Sequence, residues 1–286
     1  MGFFQTVWTW LDHQLATYIG TTTTRVASIL EPAIVTFATV YVMVWGYLQL
    51  TGRIEEPVVA GLKRIMTLAV VLGVALHLWL YNSIIVDTFY RAPAQLAAAL
   101  TGARDPVKTI DAIWDQGAAV AGYLFSGSGL VVDLGNMIAA LIVWVMVGML
   151  CIYTMFLIAL SSIALSVLLA LGPLFFTALL FESTRKLFEA WMAQLTNYAL
   201  ITVLTVLVST LLLQIVAAYA GQTMARGPAV TTVDTTDMVL ISVLVFLVMR
   251  QVMPLAAGLA NSVALSSFGA VSRFVIWGLR TGRIPV

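Results

Sequence analysis

From Leu134 to Phe181 the chain runs for 48 residues without a charge. One crossing of a bilayer's hydrocarbon layer takes about 20 apolar residues. A tract more than twice that length belongs in lipid, and it forces every neighbouring segment to be read as part of a membrane protein. Composition agrees. Hydrophobic residues make up 61% of the chain and charged residues 9%, with a mean hydropathy of +1.01, whereas soluble domains carry about 25% charged residues. The net charge of +1 gives no general pull on nucleic acid. Cys151 is the only cysteine, so one chain builds neither a disulfide framework nor a cysteine metal site; it reads as a small core residue.

At the N-terminus, Phe3, Phe4, Val7, Trp8, Leu11, Leu15, Tyr18 and Ile19 recur at helical spacing, with Gln5, Thr9, Asp12, His13 and Thr17 mostly opposite. This pattern predicts an amphipathic helix on the membrane surface over residues 1–31. His13 has no metal-ligand partner three or four residues away. The first basic residue is Arg25, so this stretch does not read as a cleavable leader. Thr21–Thr24 and Glu31-Pro32 predict a break, with Pro32 opening the next helix.

Pro32–Gly52 and Ile65–Val86 are uncharged runs of 21 and 22 residues, the right length for the first two spans, over 32–86. Residues 87–133 hold five Asp against Arg91, Arg104 and Lys108 and read as an extramembrane loop, too short for a core of its own. Within it Ala94–Leu100 and Ile110–Phe125 are helix-prone, and 126–129 form a Ser/Gly hinge.

The number of crossings made by the central tract follows from charge, because short cytoplasmic loops carry the excess of Lys and Arg. One crossing puts the loop at 53–64, Arg185-Lys186 and the tail at 273–286 with Arg273, Arg280 and Arg283 on the inside. Two crossings put the tail's arginines outside. The expected fold is therefore all-α and polytopic: five spans, N-terminus periplasmic, C-terminus cytoplasmic, with the third to fifth spans in 134–272. A straight helix of 48 residues would be about 70 Å long, more than twice the hydrocarbon thickness. Gly172-Pro173 is the one convincing break.

The fourth span gathers Gln194, Asn197, Tyr198, Thr202, Thr205 and Ser209 on one side. Such a stripe faces either a packed neighbour or a wet cavity. Arg250 reads as a cation snorkelling to the inner interface at the end of the fifth span. Small residues recur at Ser162, Ser166 and Ala170, and again at Gly258, Ser262, Ser266 and Ala270. These mark close packing faces, within the chain or between copies of an oligomer.

No Walker loop, paired His or catalytic constellation occurs. His77, the one ionisable group inside an expected span, lacks a relay partner at matching depth. No enzyme activity, cofactor or metal is expected.

Leu171-Gly172-Pro173-Leu174-Phe175-Phe176, the charged block from Phe181 to Phe188, and Trp191 followed by Gln194-Leu195-Thr196-Asn197-Tyr198 resemble the TrbL-type polytopic inner-membrane subunit of type IV secretion and conjugation machines. The likeness in plan covers the whole chain. The resemblance implies a non-enzymatic channel and assembly subunit of a Gram-negative inner membrane, forming an oligomeric ring. It also implies partners: pilin and minor-pilin subunits, bitopic scaffold proteins, separate secretion ATPases, membrane lipid, and translocated DNA or protein in transit. Pro173, Arg185, Trp191, Gln194, Asn197 and Tyr198 fall in the matching segment as assembly or translocation candidates. There Trp191 reads as an interfacial anchor and Arg185 as an inner-side charge. A stand-alone solute or ion transporter is the other expectation, weakened by the lack of mirrored halves with two broken helices.

Overall fold

The structure is a computed structural model that describes residues 2–52, 61, 65–66, 69–74, 77–102, 106–126, 134–180, 184–225 and 232–260. Among them every regular element is helical. In chain order these are α1 (Phe3–Leu50), α2 (Leu78–Tyr81) running into a π-helical stretch Asn82–Arg91, α3 (Ala92–Thr101), α4 (Pro106–Ser126), α5 (Leu134–Ala170), α6 (Gly172–Thr177), α7 (Arg185–Ala225) and α8 (Thr232–Arg250). Four described helices are long and apolar enough to cross a membrane: Phe3–Leu50, Ala140–Ala170, Arg185–Leu212 and Val239–Ala260. The chain is thus an all-α polytopic membrane protein. Parts of the expected second span, the basic loop at 53–64, most of the Ser/Gly hinge and the tail 273–286 lie outside the described residues.

The predicted break at Thr21–Thr24 and Glu31-Pro32 does not occur, because α1 continues through both and keeps Pro32 inside. Two physical causes carry it across. Leu15, Ile19, Thr23, Ala27 and Ile34 are all buried, four, four, four and seven residues apart, so one packed stripe runs past both sites. The threonines fold their hydroxyls back instead of competing with the helix: Thr21 donates to the Thr17 carbonyl at 2.9 Å and Thr24 to Gly20 at 2.7 Å. Such back-bonding keeps a hydroxyl satisfied inside a helix.

The chain divides into two compact units. The first takes residues 1–14, 92–163 and 198–257. In its core Val107, Ile110, Ile113 and Val120 of α4 lie with Ala140, Val143, Val147 and Leu150 of α5 and with Phe4, Leu212, Val245 and Met249. The loop helix borrows this core rather than building one. Gly117 lets α4 approach α5, since a Cβ there would overlap the Val147 side chain. Trp114 packs on Trp144 with ring centroids 5.5 Å apart. Cys151 is buried, its Sγ 3.7 Å from the Ile110 carbonyl. The buried Asp111 carboxylate accepts from the Phe4 and Gln5 amides at 3.1 and 3.2 Å, capping the first turn of α1 with negative charge at its positive end.

The second unit takes residues 15–91, 164–197 and 258–286 and contains the interruption between α5 and α6. On the spanning helices large apolar side chains remain exposed, among them Leu141, Ile152, Phe156, Val167 and Leu244. So many on one chain are a surface for lipid rather than for water.

Two readings of the last span change. The helix does not stop at Arg250: after a turn at Gln251 it resumes over 252–260, and the candidate span Val239–Ala260 puts Arg250 inside it, not at its inner end. Gln251 is also a second interruption, beside the one at Gly172-Pro173. Its cause is Pro254, which has no N–H for the carbonyl of residue 250.

Candidate functional site

At the end of α5 the helix stops at Ala170, Leu171 forms a turn, and α6 begins on Gly172-Pro173. Pro173 carries no N–H, so the Leu169 carbonyl, four residues back, loses its helical donor. In lipid an unpaired carbonyl is costly. The buried Tyr81 at the end of α2 supplies the missing donor, its hydroxyl donating to Leu169 O at 2.6 Å. The preceding carbonyl, that of Leu168, accepts the indole Nε1–H of Trp191 on α7 at 2.9 Å. Tyr81 thus stands in for the missing backbone donor at the break, and Trp191 adds a second side-chain donor on the carbonyl beside it.

Aromatic rings fill the space around these bonds. Trp191 stacks on Phe175, centroids 5.5 Å apart with planes 12° from parallel, and meets Phe176 edge-on at 5.7 Å and Phe188 at 5.5 Å. Phe176 in turn meets Phe188 at 5.3 Å and Tyr81 at 6.0 Å. Such pairs prefer stacked or edge-to-face geometry and add about 0.5–1.5 kcal/mol each beyond buried area. Gly172 is required here because a Cβ would run into the Tyr81 phenol. Trp191 is only 2% exposed. Its reading as an interfacial anchor is therefore corrected: the indole closes a packed cluster, with its N–H spent on Leu168.

The other candidates separate. Pro173 is buried at the break. Arg185 opens α7 and pairs with Glu189 at 3.5 Å, both partly exposed. Gln194 is exposed, whereas Asn197 and Tyr198 are half-buried. Further along the stripe, Thr202 and Ser161 share a hydrogen bond of 2.9 Å between α7 and α5. Thr205 is buried with its hydroxyl unpaired among the described residues. Ser162 and Ser166 are buried within this chain, so they are packing residues of the protomer and not a surface for a second copy. Gly258 is exposed, with open space where a Cβ would stand. Ser262 and Ser266 lie outside the described residues. Among the described residues no three His, Cys, Asp or Glu side chains cluster to hold a metal.

Sequence reasoning found the broken segment but missed Tyr81, Phe175, Phe176 and Phe188 as its lining. The available signal was Pro173 itself, which marks Leu169 as a carbonyl in need of a donor.

This site falls within a stretch shared with known proteins. Residues 38–252 match the family model described as TrbL/VirB6 plasmid conjugal transfer protein. Over 292 aligned residues the chain is 24% identical to the Type IV secretion system protein VirB6 of Bartonella quintana (strain Toulouse), covering 98% of this chain and 88% of that protein. It is 26% identical over 215 residues to Protein VirB6 of Agrobacterium fabrum (strain C58), covering 73% and 72%. It is also 23% identical over 263 residues to the Type IV secretion system protein VirB6 of Brucella melitensis biotype 1, covering 88% and 74%. With a family match spanning Tyr81, Pro173, Trp191 and Arg250, the chain belongs to the TrbL/VirB6 family.

Proposed function

We propose that this multi-pass inner-membrane protein is a non-enzymatic type IV secretion subunit whose copies assemble as a ring, a platform for translocating DNA or protein and for building a pilus. The observation that supports this most directly is the braced break. Tyr81 and Trp191 donate to adjacent carbonyls and hold an interrupted helix in place, as an assembly or conduit element requires. The proposed topology has five crossings, the 87–133 loop in the periplasm and the basic 273–286 tail in the cytoplasm, in keeping with the bias of Lys and Arg. Partners are the other components of the same machine: pilin and minor-pilin subunits, bitopic scaffolds and ATPases. The last must supply the energy, since the sequence has no phosphate loop.

The test is to purify the chain in mild detergent and measure its mass, and to measure transfer in cells carrying Trp191→Ala. An oligomer, with transfer lost while membrane insertion is kept, supports the reading. A strict monomer that takes up a specific solute in liposomes overturns it in favour of a transporter, a reading that the second interruption at Gln251 keeps in play.

A further inference from the structure

One face of α5 is covered by the rest of the chain and the opposite face is not. Val143, Val147, Leu150 and Leu157 are buried, whereas Ile138, Ile142, Val145, Met149, Ile152 and Phe156 are each 40–64% exposed. At 100° per residue these six lie within about 40° of one line along the helix, and the exposed Ile163 and Val167 continue it. No polar residue falls within this stripe. Successive members of the six are four, three, four, three and four residues apart. That alternation is the spacing of a coiled-coil seam, whose side chains seat between those of a facing helix. With this phase Ile138, Val145 and Ile152 take the d positions, and β-branched residues there favour three or more strands over two.

Lipid covers the other exposed faces of the spanning helices but not the whole of this stripe. From Ile138 to Val167 it runs for 29 steps of the helix, about 44 Å at 1.5 Å each. The hydrocarbon layer is about 30 Å thick, so a helix at the usual tilt of about 20° keeps about 32 Å inside it, and one at 40° about 39 Å. Between about 5 and 12 Å of the stripe is left among headgroups or in water, where contiguous exposed apolar side chains mark a protein contact. The tract that carries it has no charge, so the facing surface has to be apolar and needs no counter-charge. A second α5 is such a surface. Copies inserted with one topology close into a ring whose axis stands along the membrane normal, so their α5 helices run parallel with equal residues at equal depth. We propose that the α5 helices of neighbouring copies pack on one another along the seam from Ile138 to Phe156, which puts α5 next to the axis of the ring. This rests on the oligomeric secretion-subunit reading above.

Two other spans supply controls. Leu211 on α7 and Leu244 on α8 are as exposed as the seam residues, on helices that the seam does not place at the axis. A thiol at either position reports chance encounters between copies in the membrane.

The test uses the full chain in its membrane, in a Cys151→Ala background that removes the only native thiol. Ile142→Cys, Met149→Cys and Ile152→Cys are introduced one at a time, beside Leu211→Cys and Leu244→Cys, and treated with a mild oxidant. A disulfide needs Cα atoms within about 7 Å. Packed helices lie about 8–10 Å apart axis to axis, so equal positions on facing sides come within reach. The three seam thiols are expected to give at least about fivefold more covalent dimer than those at 211 and 244. All three are exposed in the single chain, so the substitutions leave its core intact, and any one of them serves if another fails to assemble. Seam thiols that give no more dimer than 211 and 244, in a chain that still runs as an oligomer in mild detergent, overturn the inference alone; lipid or another partner then covers the stripe. A strict monomer overturns the oligomeric reading, and the inference with it.

Discussion

Replacing Tyr81 by Phe removes one oxygen and leaves the ring on Phe176. That oxygen is the donor to Leu169 O at 2.6 Å on a residue with no exposed surface. A buried carbonyl left unpaired costs about 1–3 kcal/mol, and polar contacts between membrane helices measure about 0.6 kcal/mol on average and about 1.7 at most. The expected loss for Tyr81→Phe is therefore about 1–2 kcal/mol. The reasoning makes a sharper claim through Pro173. Pro173→Ala returns an N–H to the position that normally serves the Leu169 carbonyl, so the hydroxyl becomes redundant. In that background Tyr81→Phe should cost less than half as much, a coupling of roughly 1 kcal/mol in a double-mutant cycle. Unfolding free energies of the four proteins in the same detergent give the cycle. An equal cost in both backgrounds refutes the claim that the tyrosine replaces a missing amide.

Trp191→Phe keeps a ring on Phe175 but loses the bond to Leu168 O, and should cost about 1 kcal/mol of stability. Trp191→Ala empties the cluster and should cost about 3–5 kcal/mol, both read by unfolding in detergent. Asp111→Ala removes the cap on the Phe4 and Gln5 amides; it should destabilise the first turn of α1 by about 1 kcal/mol, seen as faster amide exchange there while exchange in α5 is unchanged. Reporter fusions after Gly52, Thr109, Thr184, Gly227 and Val286 should read inside, outside, inside, outside, inside. An external signal at Thr184 would mean that the central tract crosses twice and that the proposed topology is wrong.

Several features were legible without coordinates because each depends on local chemistry. A 48-residue tract without charge must enter lipid, and Gly172-Pro173 must interrupt a helix, since a missing N–H has the same effect in any surroundings. By that rule Pro32 and Pro254 should have acted alike, yet α1 passes through Pro32 while the helix turns at Gln251, close to Pro254. Packing does not separate them, since Met249, Val252, Ala256 and Ala260 form a buried stripe past Pro254 as Leu15 to Ile34 do past Pro32; nothing in the structure explains the difference.

What the sequence by itself determined is the class of protein, its apolar segments and the place where the central helix breaks, all properties of neighbouring residues in the chain. Only the tertiary structure decided how the break is satisfied, by Tyr81 from 88 residues away and Trp191 from the following helix, and that the helix carrying Arg250 resumes over 252–260. Partners for a freed backbone group are chosen by proximity in space. No period or spacing along the chain records which distant hydroxyl or indole will be level with an orphaned carbonyl.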